Sequence, residues 1–542
     1  MNLEKSVELA IRNVMKEGLT DIFARPFEVD LLSKSELFKK RIYDETIRSI
    51  RSGSVSGLGI NAIDYMLMPK NIAFGFRKCA LIQPHDTIKY LALVLTLAET
   101  IEKARVPISQ KRVYSYRFHP NNGYLWNKNY TITAFRNRVS EKAKQKKANL
   151  IVSCDIANYY ERLNLHRLQN TLLSINCNRN IVNLINELLL FWSNRDSYGL
   201  PVGSNASRIL SEANLIGVDN YLLSMGVDFI RYVDDYRFFA PNASVAHYWL
   251  TVLIDRLGQE GLSINMSKTK IEPNDRYMHA TEVHTKTKKE KDEKNPFIIK
   301  AGYGGTVPTN FRKPSNSEKE RLEVLNIEGL LESAKINCLV ESSEFIEIIK
   351  ACIVQRKYSM LVEILAIIDK YLQLTPYYID TLIKHQEFFT LEDVEKINIY
   401  FTKQIKESRF IPEYLMVSYI RLFGSDCFSN KKFLIEQYRN LRRDSGAYVG
   451  RVLLDALYGL ANREDMLEIR KSFSRSNLWE KRQIIRLIDS TFDEEEKRPW
   501  LKNIRQIEPN ELFLLETAEP TKLTKKKKRR KKISSRRIEE EI

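Results

Sequence analysis

"RYVDDYRFFA", residues 231–240, sets two adjacent aspartates between two short apolar, aromatic runs. The runs read as strands and the aspartates as the turn between them. Burying one carboxylate is costly, and a second beside it adds like-charge repulsion. A bare Asp-Asp turn is ordinarily a solvated loop tip. Carboxylates are also the hard oxygen ligands that divalent cations prefer. Two such ions about 3.5–4 Å apart can activate a hydroxyl nucleophile and stabilise a leaving pyrophosphate, and their charge would offset the repulsion. Asp234 and Asp235 would be the pair. Asp155, which ends the apolar, β-branched stretch "LIVSCD" at 150–155, is the natural third ligand.

Outward from the hairpin, the chain mixes strands and helices without strict alternation, which predicts an α+β fold. Residues 1–60 read as helical and end in the Gly/Ser break "RSGSVSGLGI". Residues 86–104 have helical apolar spacing with Asp86 at the N-cap, and "RVYSYRF" at 112–118 alternates like a strand. A basic helix is expected over 134–148, an apolar helix over 180–192 and a long amphipathic helix after the Gly/Pro turn at 199–203. After the hairpin come a helix, a stop at Gly261 and a further strand, and then a charge run, "HTKTKKEKDEKN", at 284–295 that reads as a loop. From about 316 to 515 nearly everything reads as paired amphipathic helices without a strict period, either an α-solenoid or an irregular bundle.

Composition narrows the classes. At 542 residues the chain has room for three to four domain-sized units of about 150 residues. No run of about 18 apolar residues predicts a membrane span, and "MNLEKSVELAIRNVMKEG" has the pattern of an amphipathic helix, not a signal peptide. Six cysteines lie scattered at 79, 154, 177, 338, 352 and 427 without a C-x-x-C pair, as expected of free thiols in a cytoplasmic protein. The formal charge is +18. The last 22 residues hold 11 Lys/Arg against 3 Glu, yet the remainder is basic too, which points to a polyanion such as nucleic acid as partner. The tail itself suits either salt-dependent nucleic-acid binding or a disordered solubilising end.

Several motifs together resemble reverse transcriptases. "YVDD" at 232–235 is similar to their Y-x-D-D hairpin, and "DIANYY" at 155–160 to the preceding motif, a strand-end Asp with an aromatic five residues later. "GLPVGSNASR" at 199–208 resembles the turn and helix lining the nucleotide pocket, "GLSINMSKTKI" at 261–271 the element after the hairpin, and "FRKCALIQPHDTIKYLA" at 76–92 the fingers segment. One departure stands out: Val202 lies where many reverse transcriptases carry Gln, which removes a polar contact. The form of these motifs, with a helical C-terminal half, is most similar to the bacterial abortive-infection and defence-associated members.

The resemblance implies a reverse-transcriptase fingers–palm core followed by an all-α HEAT-like repeat domain in place of a thumb. Its divisions would be an N-terminal helical segment (1–60), fingers (61–150), palm (151–315), helical repeats (316–515) and a basic disordered tail (516–542). It implies catalytic Asp155, Asp234 and Asp235, joined by Ile156 as ligands of two Mg2+ ions, with Mn2+ as a substitute. Arg77, Tyr160, Gly203 and Lys268 become nucleotide-binding residues, with Lys270 competing with Lys268. Tyr160 would sit beneath the sugar and exclude a 2′-hydroxyl. The implied activity is a nucleotidyltransferase of the RNA-directed DNA polymerase type that adds dNTPs in antiphage defence. It would be protein-primed and weakly templated or untemplated, work as a homo-oligomer (trimer or hexamer), and bind its DNA product and an RNA template. Tyr43 is the priming candidate. The alternatives are a retron- or mobile-element-type enzyme templated by RNA, and a non-catalytic nucleic-acid-binding scaffold. Three uncompensated carboxylates disfavour the scaffold.

Overall fold

In the computed structural model of the protein, residues 1–20, 25–70, 75–145, 148–274, 311, 313–314, 316–336, 342–408, 410–441 and 446–507 are described. The main elements of the first 274 residues run, in chain order, α1 (Leu3–Glu17), α2 (Phe27–Lys34), α3 (Glu36–Arg51), β1 (Asp64–Pro69), β2 (Phe76–Leu81), α4 (Pro84–Ala104), β3 (Phe118–Asn121), β4 (Tyr124–Trp126), α5 (Ile132–Ala143), β5 (Leu150–Asp155), α6 (Arg179–Trp192), α7 (Asn205–Asn214), α8 (Ile216–Ser224), β6 (Phe229–Tyr232), β7 (Asp235–Ala240), α9 (Ala243–Gln259) and β8 (Lys270–Pro273).

The opening decapeptide is the expected hairpin. Tyr232 pairs with Asp235, so Val233 and Asp234 alone form the turn. Sheet order is β6-β7-β5-β8, with every pairing antiparallel. Period-two alternation sorts its side chains onto two faces. Val152, Cys154, Phe229, Tyr236 and Phe238 join the main core, where α9 packs on the sheet. Ile151, Ile230 and Phe239 meet Phe135, Val139 and Ala143 of α5 in a smaller core. The same alternation puts Asp155 and Asp235 on this second face, past the apolar residues that α5 covers.

The helices of the N-terminal segment do not stand apart. α1 packs along α4, and α7 packs on α4 from another side. Asn2 caps α1 by accepting the Lys5 N–H. The α4 helix starts at Pro84, two residues before the expected start, and Asp86 is not its cap. Asp86 is instead buried and accepts the main-chain and side-chain N–H groups of Asn61. The strand expected at 112–118 is also corrected. Its alternating residues make a single parallel bridge, Val113 to Arg231, and regular pairing begins only at Phe118.

From 316 onward the described residues form helices and no strand, from Asn316–Glu323 to Glu494–Ile507. They build a second core, and the β1–β2 hairpin belongs to it: Met66, Met68, Cys79 and Leu81 are buried there. A buried ion cluster adds a second tie. Glu28 of α2 accepts from Arg451 at 2.9 Å and Arg482 at 2.8 Å, residues of the helices Val449–Ala456 and Leu478–Thr491. Burial opposes ionisation of Glu28, but the two guanidinium groups overcome it and hold the carboxyl down at about 2. The expected charge-run loop at 284–295 and basic tail at 516–542 lie outside the described residues. Among those residues, no helix is long and apolar enough to cross a membrane.

Candidate active site

Asp155 and Asp235 end facing strands as register partners, and Asp234 occupies the turn beside them. The Asp234 carbonyl accepts the Ile156 N–H at 3.0 Å, which stitches the turn to the chain just past Asp155. Burial, with the charges of Asp155 and Asp235, pushes the Asp234 carboxyl up to about 7, while Arg77 on β2 opposes the shift. Burial also raises Asp235, against Arg237 and Lys268. The three carboxylates, Arg77 and Lys268 thus share one electrostatic neighbourhood.

Two of the carboxylates are engaged. Lys268 Nζ donates to Asp155 Oδ2 at 3.0 Å, and Arg237 is ion-paired with Asp235. Lys268 is 57% exposed, so its pairing with Asp155 is readily exchanged. Lys270 lies opposite Ser153 on β8 with its side chain exposed. Of the two lysines, it is therefore Lys268 that faces an aspartate.

The remaining candidates divide. Tyr160 is half-buried, and its hydroxyl accepts from Ser211 Oγ at 3.1 Å. Its phenol is raised by burial, and Asp234 adds to the shift. The Tyr160 carbonyl accepts the Leu200 N–H at 2.8 Å, which fastens it to the Gly/Pro turn. Within that turn Gly203 has φ 115, a conformation that favours glycine, and it leads into Ser204, the N-cap of α7. The Val202 carbonyl accepts the Ala80 N–H at 3.1 Å, so the turn is tied to β2, the strand that carries Arg77. Val202 itself packs against the second core. Ile156 is buried, and its N–H is the donor to Asp234. Tyr43 lies elsewhere, half-buried on α3, and α3 packs on α1, α2 and α4.

Three carboxylates at one strand end suit a divalent cation chemically: they are hard oxygen donors whose repulsion is visible in the raised Asp234. Among the described residues, no three His, Cys, Asp or Glu side chains converge into a closed metal cluster as they stand. Two of the three aspartates are instead paired with Lys268 and Arg237.

Three contributors escaped the sequence reading. Arg237 could have been found, because it lies two residues beyond Asp235 on the same strand face. Asn265 donates its N–H to the Asp155 carbonyl at 2.7 Å, and nothing local signals that. Arg208 stacks over the Tyr116 ring at 5.4 Å, and its charge reaches Tyr160.

Residues 96–290 match the family model for reverse transcriptase (RNA-dependent DNA polymerase). That span holds Asp155, Tyr160, Gly203, Asp234, Asp235 and Lys268, and leaves Arg77 outside. No curated protein matches the chain. Among solved structures, apo telomerase from Candida tropicalis, truncated from its C-terminal domain, is 16% identical with a TM-score of 0.28, over 40% of this chain and 50% of that one. Telomerase from Candida albicans, bound to a TWJ fragment of telomeric RNA, is 13% identical with a TM-score of 0.29, over 72% of this chain and 64% of that one. The chain therefore spans half the length of the first and less than two thirds of the second. At these scores the likeness bears on neither substrate nor assembly.

Proposed function

We propose that the chain, whose residues 96–290 match the reverse-transcriptase family model, is a nucleotidyltransferase of the RNA-directed DNA polymerase type that extends DNA from dNTPs at the end of the β6-β7-β5-β8 sheet. Asp155, Asp234, Asp235 and the main chain of Ile156 would hold two divalent cations there, Mg2+ or Mn2+. Such ions, when bound, ease deprotonation of the attacking hydroxyl and offset charge on the leaving pyrophosphate. With the cations bound, Asp155 and Asp235 would ligate them in place of their ion pairs with Lys268 and Arg237. Lys268, released, meets the triphosphate from one side and Arg77 from the other. Tyr160 lies under the sugar and crowds a 2′-hydroxyl, and Gly203 lets the backbone approach the nucleotide. The observation that carries this reading is the gathering of Asp155, Asp234 and Asp235 at one strand end, inside the segment that matches the family.

The test is dNTP incorporation on primed RNA and DNA with Mg2+. The double variant Asp234→Ala/Asp235→Ala should lose activity by at least about 10³-fold while keeping its fold. Retained incorporation by a folded double variant defeats the metal assignment.

The sequence resemblance extends the proposal to the cell. The protein acts in the bacterial cytoplasm against phage, as a trimeric or hexameric homo-oligomer. Its synthesis is weakly templated or untemplated and starts from a tyrosine hydroxyl. Tyr43 is carried forward as one of 26 tyrosines, and no contact with the aspartates singles it out. Product DNA that needs protease before it leaves the phenol layer, with a nucleotide mapped to one tyrosyl peptide, supports protein priming; freely extracted DNA rules it out.

A further inference from the structure

Arg231 sits on β6, two residues before the turn, and is fully buried. Its guanidinium engages through all three nitrogens. Nε donates to Asp219 Oδ1 at 2.9 Å, Nη2 to Glu212 Oε2 at 3.0 Å, and Nη1 to the Val233 carbonyl at 2.8 Å. Asp219 belongs to α8 and Glu212 to α7, and both are buried; Glu212 also accepts from Arg105 at 2.6 Å. A buried ion network of this kind is weak grounds for stability, because well-packed apolar residues often hold elements together as well. An apolar side chain cannot donate to the Val233 carbonyl.

That donation matters because of where Val233 lies. It is β-branched and has φ 55, in the left-handed region where such a residue is a steric outlier. A two-residue turn with positive φ at its first position alone is the kind that calls for glycine there, and glycine would adopt it with less strain. Both carbonyls of the turn are tethered: Val233 to the Arg231 side chain and Asp234 to the Ile156 N–H. These two bonds restrain the backbone from which the Asp234 carboxylate projects.

We propose that Arg231 is a positioning residue. Its guanidinium clamps the Val233 carbonyl, holds the strained turn in the left-handed conformation and thereby presents Asp234 to the cation site. The inference rests on the reading of Asp234 as a metal ligand given above, and on a buried donor that the motif reading left without a role.

The test uses the full-length chain. Arg231→Lys keeps a charge for Asp219 and Glu212 but loses the planar fork of donors. It should lower incorporation about tenfold and raise the half-saturating Mn2+ concentration, read from free-ion electron paramagnetic resonance, by a similar factor. Circular dichroism should show an intact fold. Arg231→Lys/Val233→Gly should recover most of both losses, because glycine accepts the positive φ without the clamp. Wild-type Mn2+ affinity in Arg231→Lys, or a double variant no better than the single one, overturns the proposal. If Arg231→Lys does not fold, Val233→Gly and Val233→Ala in the otherwise native chain decide: both lose the buried Val233 side chain, and only glycine relieves the positive φ, so a higher melting temperature for the glycine variant supports strain at the turn, and an equal or lower one refutes it. If Asp234→Ala/Asp235→Ala binds Mn2+ like the native protein, the metal reading has failed. The clamp is then judged from a crystal structure of Arg231→Lys, in which residue 233 should leave positive φ; an unchanged φ refutes the clamp.

Discussion

Asp234 carries a charge that its surroundings resist, and that has a measurable sign. Its folded carboxyl lies at about 7, above the ordinary 3.8, because burial and two neighbouring carboxylates disfavour ionisation. A raised folded value means that the stability contribution is fully present below 3.8 and lost as pH rises through about 7. In chelator-treated protein, Asp234→Asn should therefore leave the melting temperature unchanged near pH 4 and raise it at pH 8. A stabilisation on the order of 1 kcal/mol is expected there, discounted for partial exposure. Thermal melts across that range check it, and an equal gain at both pH values would mean that charge is not the cause. Tyr160 makes a different prediction at the same scale. Tyr160→Ala should reduce discrimination against ribonucleotides by about 10–100-fold, measured as the ratio of kcat/KM for dNTP and NTP. Unchanged discrimination would make Tyr160 a packing residue alone.

At the scale of elements, the β1–β2 hairpin does two jobs. One side of it is buried in the C-terminal core through Met66, Met68, Cys79 and Leu81, while Arg77 is felt by Asp234. The Ala80 N–H also holds the Gly/Pro turn through Val202. One strand therefore joins packing in the helical half to the proposed nucleotide pocket, and the two are expected to be coupled. Leu81→Ala should cost about 2–4 kcal/mol by leaving a cavity, and should also raise the dNTP KM, although Leu81 has no role in the proposed chemistry. Urea unfolding and steady-state kinetics on the same preparation separate the two effects. A destabilised variant with native KM would break the proposed coupling.

At the scale of the whole molecule, Glu28 ties α2 to two C-terminal helices. Its folded carboxyl lies at about 2, below the ordinary 4.5, so its contribution is present above 4.5 and lost as pH falls towards 2. Glu28→Gln leaves Arg451 and Arg482 buried without their shared carboxylate. It should cost about 3–5 kcal/mol at neutral pH and flatten the acid limb of the stability profile between pH 4.5 and 2. Denaturant melts over that interval test both parts; a variant as stable as the parent at pH 7 would show that packing alone joins the two ends.

The sequence by itself determined the hairpin, the strand that ends in Asp155 and the helical character of the C-terminal half. These are local patterns: period-two alternation around a two-residue turn, and apolar spacing at helical period. Alternation misled at 112–118, where tertiary contact left one bridge instead of a strand, and Asp86 resembled a cap until Asn61 claimed it. Only the tertiary structure decided which lysine meets Asp155 and which arginine supports the turn. It also decided that the β1–β2 hairpin shares a core with the far half of the chain. Those partners lie far apart in sequence: 113 residues separate Lys268 from Asp155, and 423 separate Arg451 from Glu28. No local periodicity reports such a pairing, because it is set by which buried faces and charges find counterparts once the helices close over the sheet.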